Sequence, residues 1–190
     1  VSALSQHGNT LAVAPTGAGK TIMLSAVAGR MIADPDAKAC VLAHRDELTD
    51  QNRDKFRRVV PGLSTSVVDA REKSWIGQVT FAMVPTLARS GNLDAMPSLD
   101  LLVIDEAHHA SSPTYRAVID TVLARNPRAG ICGLTATPNR GDGKGLREVF
   151  SNVADQITLG EMIAVFTPIR RPAESSSGPP ELPGLIAASV

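Results

Sequence analysis

The stretch APTGAGKT, residues 14–21, places two glycines, a lysine and a threonine at fixed offsets. Gly17 and Gly19 allow a tight backbone turn that a β-carbon would oppose. The successive amides of such a turn face inward and make an anion cradle. A helix starting near Gly19 adds the positive end of its dipole to the same place. Lys20 can then reach terminal phosphates as a point charge, and Thr21 can set its hydroxyl on a magnesium ion. The run Ala14, Pro15, Thr16, Gly17, Ala18, Gly19, Lys20, Thr21 therefore reads as a nucleotide phosphate loop, with Ala14 where the strict pattern has glycine.

A second stretch, LLVIDEAHHA at 101–110, runs an apolar strand into two adjacent carboxylates and two histidines. A phosphate loop that binds a magnesium nucleotide needs a further group for the metal and one to orient or deprotonate the attacking water. Asp105 is the candidate for holding magnesium, through water. Glu106 is the candidate for activating water against the terminal phosphate. Asp105 and His109 are four apart and share a helical face, but zinc sites need further ligands at set spacing, and His7 and His44 supply no such pair. His109 is read as an ordinary residue.

Alternating elements position these groups. Apolar β-type runs cover 10–15, 37–44, 64–69, 78–83, 99–105 and 129–137, with a short strand near 155–158. Helical periodicity covers 20–33, 45–59, about 113–125 and, more weakly, 144–150. Strands alternating with helices predict an α/β fold whose mainly parallel sheet is covered on both faces. Ligands in such folds sit at the carboxyl ends of the strands. That rule gathers residues 14–21, 43–46, 105–108 and 135–140 at one edge.

Composition sets outer bounds. The chain has 190 residues, 43% hydrophobic and 20% charged, which suits one soluble domain with a sizeable core. Nineteen basic and nineteen acidic side chains cancel, so any nucleic-acid contact must be made by a few placed groups. Arg53, Lys55, Arg57 and Arg58 cluster on one predicted helix, but Asp50 and Asp54 interleave with them, as on a solvated face. Aromatic content of 3% offers no platform for stacking bases. Cys40 and Cys132 lie in apolar runs and read as buried free thiols of a reducing compartment. No membrane span or signal peptide is read, so the expected location is cytoplasmic and no membrane partner is expected.

Four segments in order, APTGAGKT, VLAHRDEL, VIDEAHH and GLTATPNRGDG, resemble motifs I, Ia, II and III of superfamily 2 helicases and translocases. Residues 105–108 resemble the DEAD/DEAH-box signature, and 135–143 look most like the branch that includes type I and type III restriction motor subunits. The resemblance covers about residues 1–170. It implies an ATP-driven motor on nucleic acid, by its restriction-like segment double-stranded DNA, built from two three-layer RecA-like domains with ATP and Mg2+ between them. It implies that the phosphate loop binds the triphosphate, that Thr21 and Asp105 hold magnesium, and that Lys20, Asp105 and Glu106 are catalytic. It implies that His108, Thr135 and Thr137 couple nucleotide state to the partner domain. Arg45 is the implied contact to the nucleic-acid backbone. The segment at 79–89 resembles a further strand-contacting motif, with Pro85 where many relatives carry glutamine.

The departures shape the remaining expectations. No motif of a second RecA-like domain follows, and Gln6 is only 14 residues before Lys20, too near for the family's adenine-reading glutamine. The chain begins at Val1 rather than Met, and nine of residues 172–184 are Pro, Gly or Ser. The expectation is a first motor domain at 1–170 with a disordered tail at 171–190 and the second domain absent. A stand-alone nucleotide-binding module and a non-functional fragment stay open as alternatives.

Overall fold

The computed structural model describes residues 2–44, 46–136 and 144–156. The chain order is α1 (Ser2–His7), β1 (Asn9–Val13), α2 (Lys20–Met31), β2 (Ala39–Ala43), α3 (Asp46–Val59), β3 (Thr65–Val68), β4 (Val79–Met83), α4 (Val84–Leu87), α5 (Ser90–Asp94), β5 (Leu101–Asp105), a 3-10 turn (Ala107–His109), α6 (Pro113–Arg125), β6 (Gly130–Thr135), α7 (Lys144–Val149) and β7 (Val153–Gln156). The seven predicted strands and four predicted helices are all present, within a few residues of their expected bounds. The sequence reading did not include α1, α4, α5 or the 3-10 turn. Pro85 sits in the first turn of α4, where its missing N–H costs nothing.

The strands form one seven-stranded sheet in the order β3-β4-β2-β5-β6-β1-β7, and every pairing is parallel. Side chains alternate across a strand, and here both faces are apolar. Cys40, Leu42, Leu102, Ile104 and Ile131 point into one cluster with Leu87, Leu99, Tyr115, Val118 and Val122. Val41, Phe81, Leu101, Val103, Cys132 and Leu134 point into the other with Leu24, Ala28, Ile32 and Phe56. Helices α4 and α6 therefore cover one face and α2 and α3 the other, giving three layers. The two cysteines are free, buried and on opposite faces.

Gly133, in the middle of β6, is required by close approach. A β-carbon there would lie 2.5 Å from Cζ of Phe150 and 2.9 Å from Cβ of Ala107. Among the described residues, no helix is long and apolar enough to cross a membrane.

Candidate nucleotide site

The loop after β1 is tied to the sheet at its first residue. The Ala14 N–H donates to the carbonyl of Thr135 at 2.9 Å, and the Ala18 N–H donates to the carbonyl of Pro15 at 3.1 Å. Gly17 and Gly19 have φ of 86° and 78°. A β-carbon at Gly17 would meet nothing within 4 Å, and one at Gly19 only Ile22, at 3.8 Å. The left-handed backbone, not lack of room, is what requires glycine at both. Gly19 caps α2, whose first turn holds no acidic residue, so the free amides and helix dipole face the loop without an internal anion.

The second wall comes from β5. Residues Leu101–Ile104 are buried, and Asp105 ends the strand at the sheet's carboxyl edge. Glu106 follows with φ 52°, the one non-glycine residue at positive φ among those described. That conformation costs about 1–2 kcal/mol and turns the chain into Ala107–His109. Glu106 Oε1 lies 3.1 Å from the Lys20 ammonium, and Oε2 lies 3.3 Å from Nδ1 of His108. The same Nδ1 is 3.3 Å from the hydroxyl of buried Thr135. The Glu106 N–H donates to Oδ1 of Asp105 at 3.0 Å.

The strand order sets these distances. The sequence reading gathered 14–21 and 105–108 at one edge of the sheet. In the sheet, β6 lies between β5 and β1, with Asp105 level with Leu134 and Thr135 level with Val13. Two strand spacings, about 9.6 Å, separate the two strand ends. Long side chains and α3 close that gap. The Thr21 hydroxyl donates to Oδ1 of Asn52 at 3.2 Å, and Nδ2 of Asn52 donates to Oδ2 of Asp105 at 2.9 Å. Thr16, Gly17, Gly19, Lys20, Thr21, Gln51, Asn52, Lys55, Asp105 and Glu106 line one cleft of about 290 Å³.

Asn52 was missed by sequence reasoning, which saw only the basic cluster on this helix. The signal was its place on a helical stripe: Thr49, Asn52 and Phe56 are all buried. A polar side chain on a core stripe needs a specific partner. Of the basic cluster, Arg53 donates to Thr65 Oγ1 at 3.1 Å, away from the cleft, while Lys55 lines it. His109 is less ordinary than expected. Its ring stacks on His44 at 5.1 Å, lies 4.1 Å from the His108 ring and 6.1 Å from Tyr115. Arg45 and Thr137 lie outside the described residues, as does the segment after residue 156.

A glycine-turned cradle after one strand of a parallel, helix-covered sheet, facing paired carboxylates at the end of another, defines a RecA-like phosphate-loop domain. Residues 2–140 match the family described as Type III restriction enzyme, res subunit. The chain belongs to that family and is the ATPase domain of a superfamily 2 helicase. It is 28% identical over 178 residues to the putative ATP-dependent helicase Irc3 of Saccharomyces cerevisiae, covering 85% of this chain and 26% of that protein. It is 30% identical over 149 residues to the DEAD-box ATP-dependent DNA helicase Fancm of Drosophila melanogaster, covering 70% of this chain and 10% of that protein. The chain thus spans about a quarter or less of these relatives. The helicase domain of Pyrococcus furiosus Hef superposes with a TM-score of 0.71 at 22% identity, over 82% of this chain and 36% of that one, which supports the fold.

Proposed function

We propose that the chain binds ATP with Mg2+ and hydrolyses it to drive movement on nucleic acid, with double-stranded DNA as the track. One observation carries this: Lys20 and Glu106 meet at 3.1 Å inside the cleft that the glycine turn opens. The donor set fits the group. Thr21 supplies a hydroxyl and Asp105 a carboxylate, both hard oxygen donors of the kind magnesium takes alongside phosphate. Bound there, magnesium would neutralise charge developing on the terminal phosphates.

The chain's own groups do the rest. Backbone amides of Gly17, Gly19, Lys20 and Thr21 hold the phosphates, and the Lys20 ammonium leaves Glu106 for them. Glu106 is then free to accept a proton from the attacking water. His108 lies between Glu106 and Thr135, so a shift in the Glu106 carboxylate reaches the end of β6 through one imidazole. That contact supports a coupling role for His108 and Thr135; Thr137 is proposed alongside them on the family resemblance alone. The DNA preference rests on the restriction-type family and on the DNA-helicase relative. Arg45, just after β2, is the proposed backbone contact. Residues 1–170 are the proposed motor domain and 171–190 a tail. A second RecA-like domain, in this or another chain, would close the cleft from the far side. Buried free thiols at Cys40 and Cys132 support a reducing compartment such as the cytoplasm.

Steady-state ATP hydrolysis with and without duplex DNA tests the reading, beside Lys20→Ala and Glu106→Gln. Magnesium-ATP binding lost in Lys20→Ala, and turnover lost in Glu106→Gln, are expected. Unchanged nucleotide affinity in Lys20→Ala would overturn the site. Binding with no turnover, even when a second RecA-like domain is supplied, would leave a nucleotide-binding module.

A further inference from the structure

We infer that Asn52 is a positioning residue that sets the affinity of the site for its divalent cation. This rests on the magnesium-nucleotide reading above. Asn52 is only 3% exposed, and its carboxamide spends both ends on the two groups assigned to the metal, Thr21 and Asp105. Chemistry fixes the direction of both bonds. A carboxylate can only accept, so the Asn52 amide NH2 must face Asp105. The amide oxygen then faces Thr21, and the Thr21 hydroxyl must donate its proton to it.

Two effects follow for the cation. The Thr21 proton is held on the side of α3, which leaves the oxygen lone pairs directed elsewhere, available to a cation. The Asp105 carboxylate is held by two donors, Asn52 Nδ2 on Oδ2 and the Glu106 amide on Oδ1, each leaving a further lone pair on its oxygen. Both ligands are thereby oriented before a cation arrives, by a residue that stands one helix away from the phosphate loop. A merely structural asparagine would stabilise the packing of α3 on the sheet without distinguishing nucleotide from magnesium nucleotide.

The test uses the whole 190-residue chain, a fluorescent ATP analogue as probe, and Mg2+ titrated against EDTA. Asn52→Ala removes both bonds, and Asn52→Leu removes them while filling the space; thermal melts of both identify the folded variant on which binding is read. The expected result is a Mg2+ half-saturation raised about tenfold, as for loss of one or two oriented hydrogen bonds, with affinity in EDTA within about twofold of the parent. Combining Asn52→Ala with Thr21→Val should cost less than the two single changes together, because the Thr21 branch is already lost while the Asp105 branch is not. Equal losses with and without Mg2+, or an unchanged Mg2+ half-saturation, would overturn the inference. A parent chain whose nucleotide binding ignores Mg2+ would instead overturn the site reading itself, and this inference with it.

Discussion

The Lys20 ammonium sits 3.1 Å from Oε1 of Glu106, joining the first residue of α2 to the residue just after β5 across the width of β6. The pair is partly buried, with side chains 13% and 33% exposed. A triphosphate entering the loop competes with Glu106 for that cation. The two expected duties, holding phosphate and activating water, are thus opposed until the ligand separates them.

Glu106→Gln should therefore act differently on binding and on chemistry. It removes the carboxylate that competes for Lys20, so magnesium-ATP affinity should be equal to or tighter than that of the parent. Turnover, in the presence of nucleic acid and a second motor domain, should fall by about 10²–10⁴-fold, as for loss of a general base. Equilibrium binding and single-turnover hydrolysis, measured side by side, check both halves.

Gly19→Ala should weaken the site without any clash. Its β-carbon has room, with Ile22 at 3.8 Å, but φ of 78° is unfavourable for alanine by about 1–2 kcal/mol. Either the loop relaxes and nucleotide affinity drops, or the fold absorbs the strain and the melting temperature drops. A variant with parent-like affinity and parent-like melting would contradict the assigned backbone.

Gly133→Ala should destabilise by steric overlap instead. Its new methyl would meet Phe150 at 2.5 Å and Ala107 at 2.9 Å, and overpacking of this kind costs about 1–3 kcal/mol. Because Ala107 begins the turn that carries His108, nucleotide turnover should fall together with stability. Adding Phe150→Leu should recover part of the stability, read from urea midpoints.

Alkali should unfold the protein through three buried acids. Burial pushes the Cys132 thiol from 9.0 up to about 11. Burial also raises Cys40, and it raises Tyr115 with help from the charges on Asp105 and Glu106. Above about pH 9 the unfolded chain sheds thiol protons that the folded chain keeps. Stability is therefore intact below that pH and declines as pH rises, by up to about 1.4 kcal/mol per unit for each fully titrating group. Denaturant midpoints across this range should show the decline, and Cys132→Ala should make it shallower while Cys40 and Tyr115 keep the rest.

Most of the fold was legible because parallel strands buried on both faces are written as short apolar runs, such as Leu101–Ile104 and Ala39–Ala43. The loop and the two carboxylates were legible because their chemistry needs set residue types at set offsets. Strand order was not. Nothing in the spacing says that β6 stands between β1 and β5, since that depends on how crossovers pack rather than on local pattern. Short helices such as Ser90–Asp94 have too few turns to show a period, and none of that helix is buried. Asn52 escaped because its role comes from tertiary placement, 31 residues from Thr21 and 53 from Asp105.

The two cysteines, one in each apolar cluster, make the sheet a partition with a chemical reporter on either side. Neither thiol is reachable until its own helical layer lifts. Their separate rates of reaction with a thiol reagent would therefore time the opening of the α2–α3 layer, through Cys132, and of the α4–α6 layer, through Cys40. Asn52 and the start of α2, which line the nucleotide cleft, belong to the first layer, so nucleotide should slow the clock at Cys132 more than the one at Cys40.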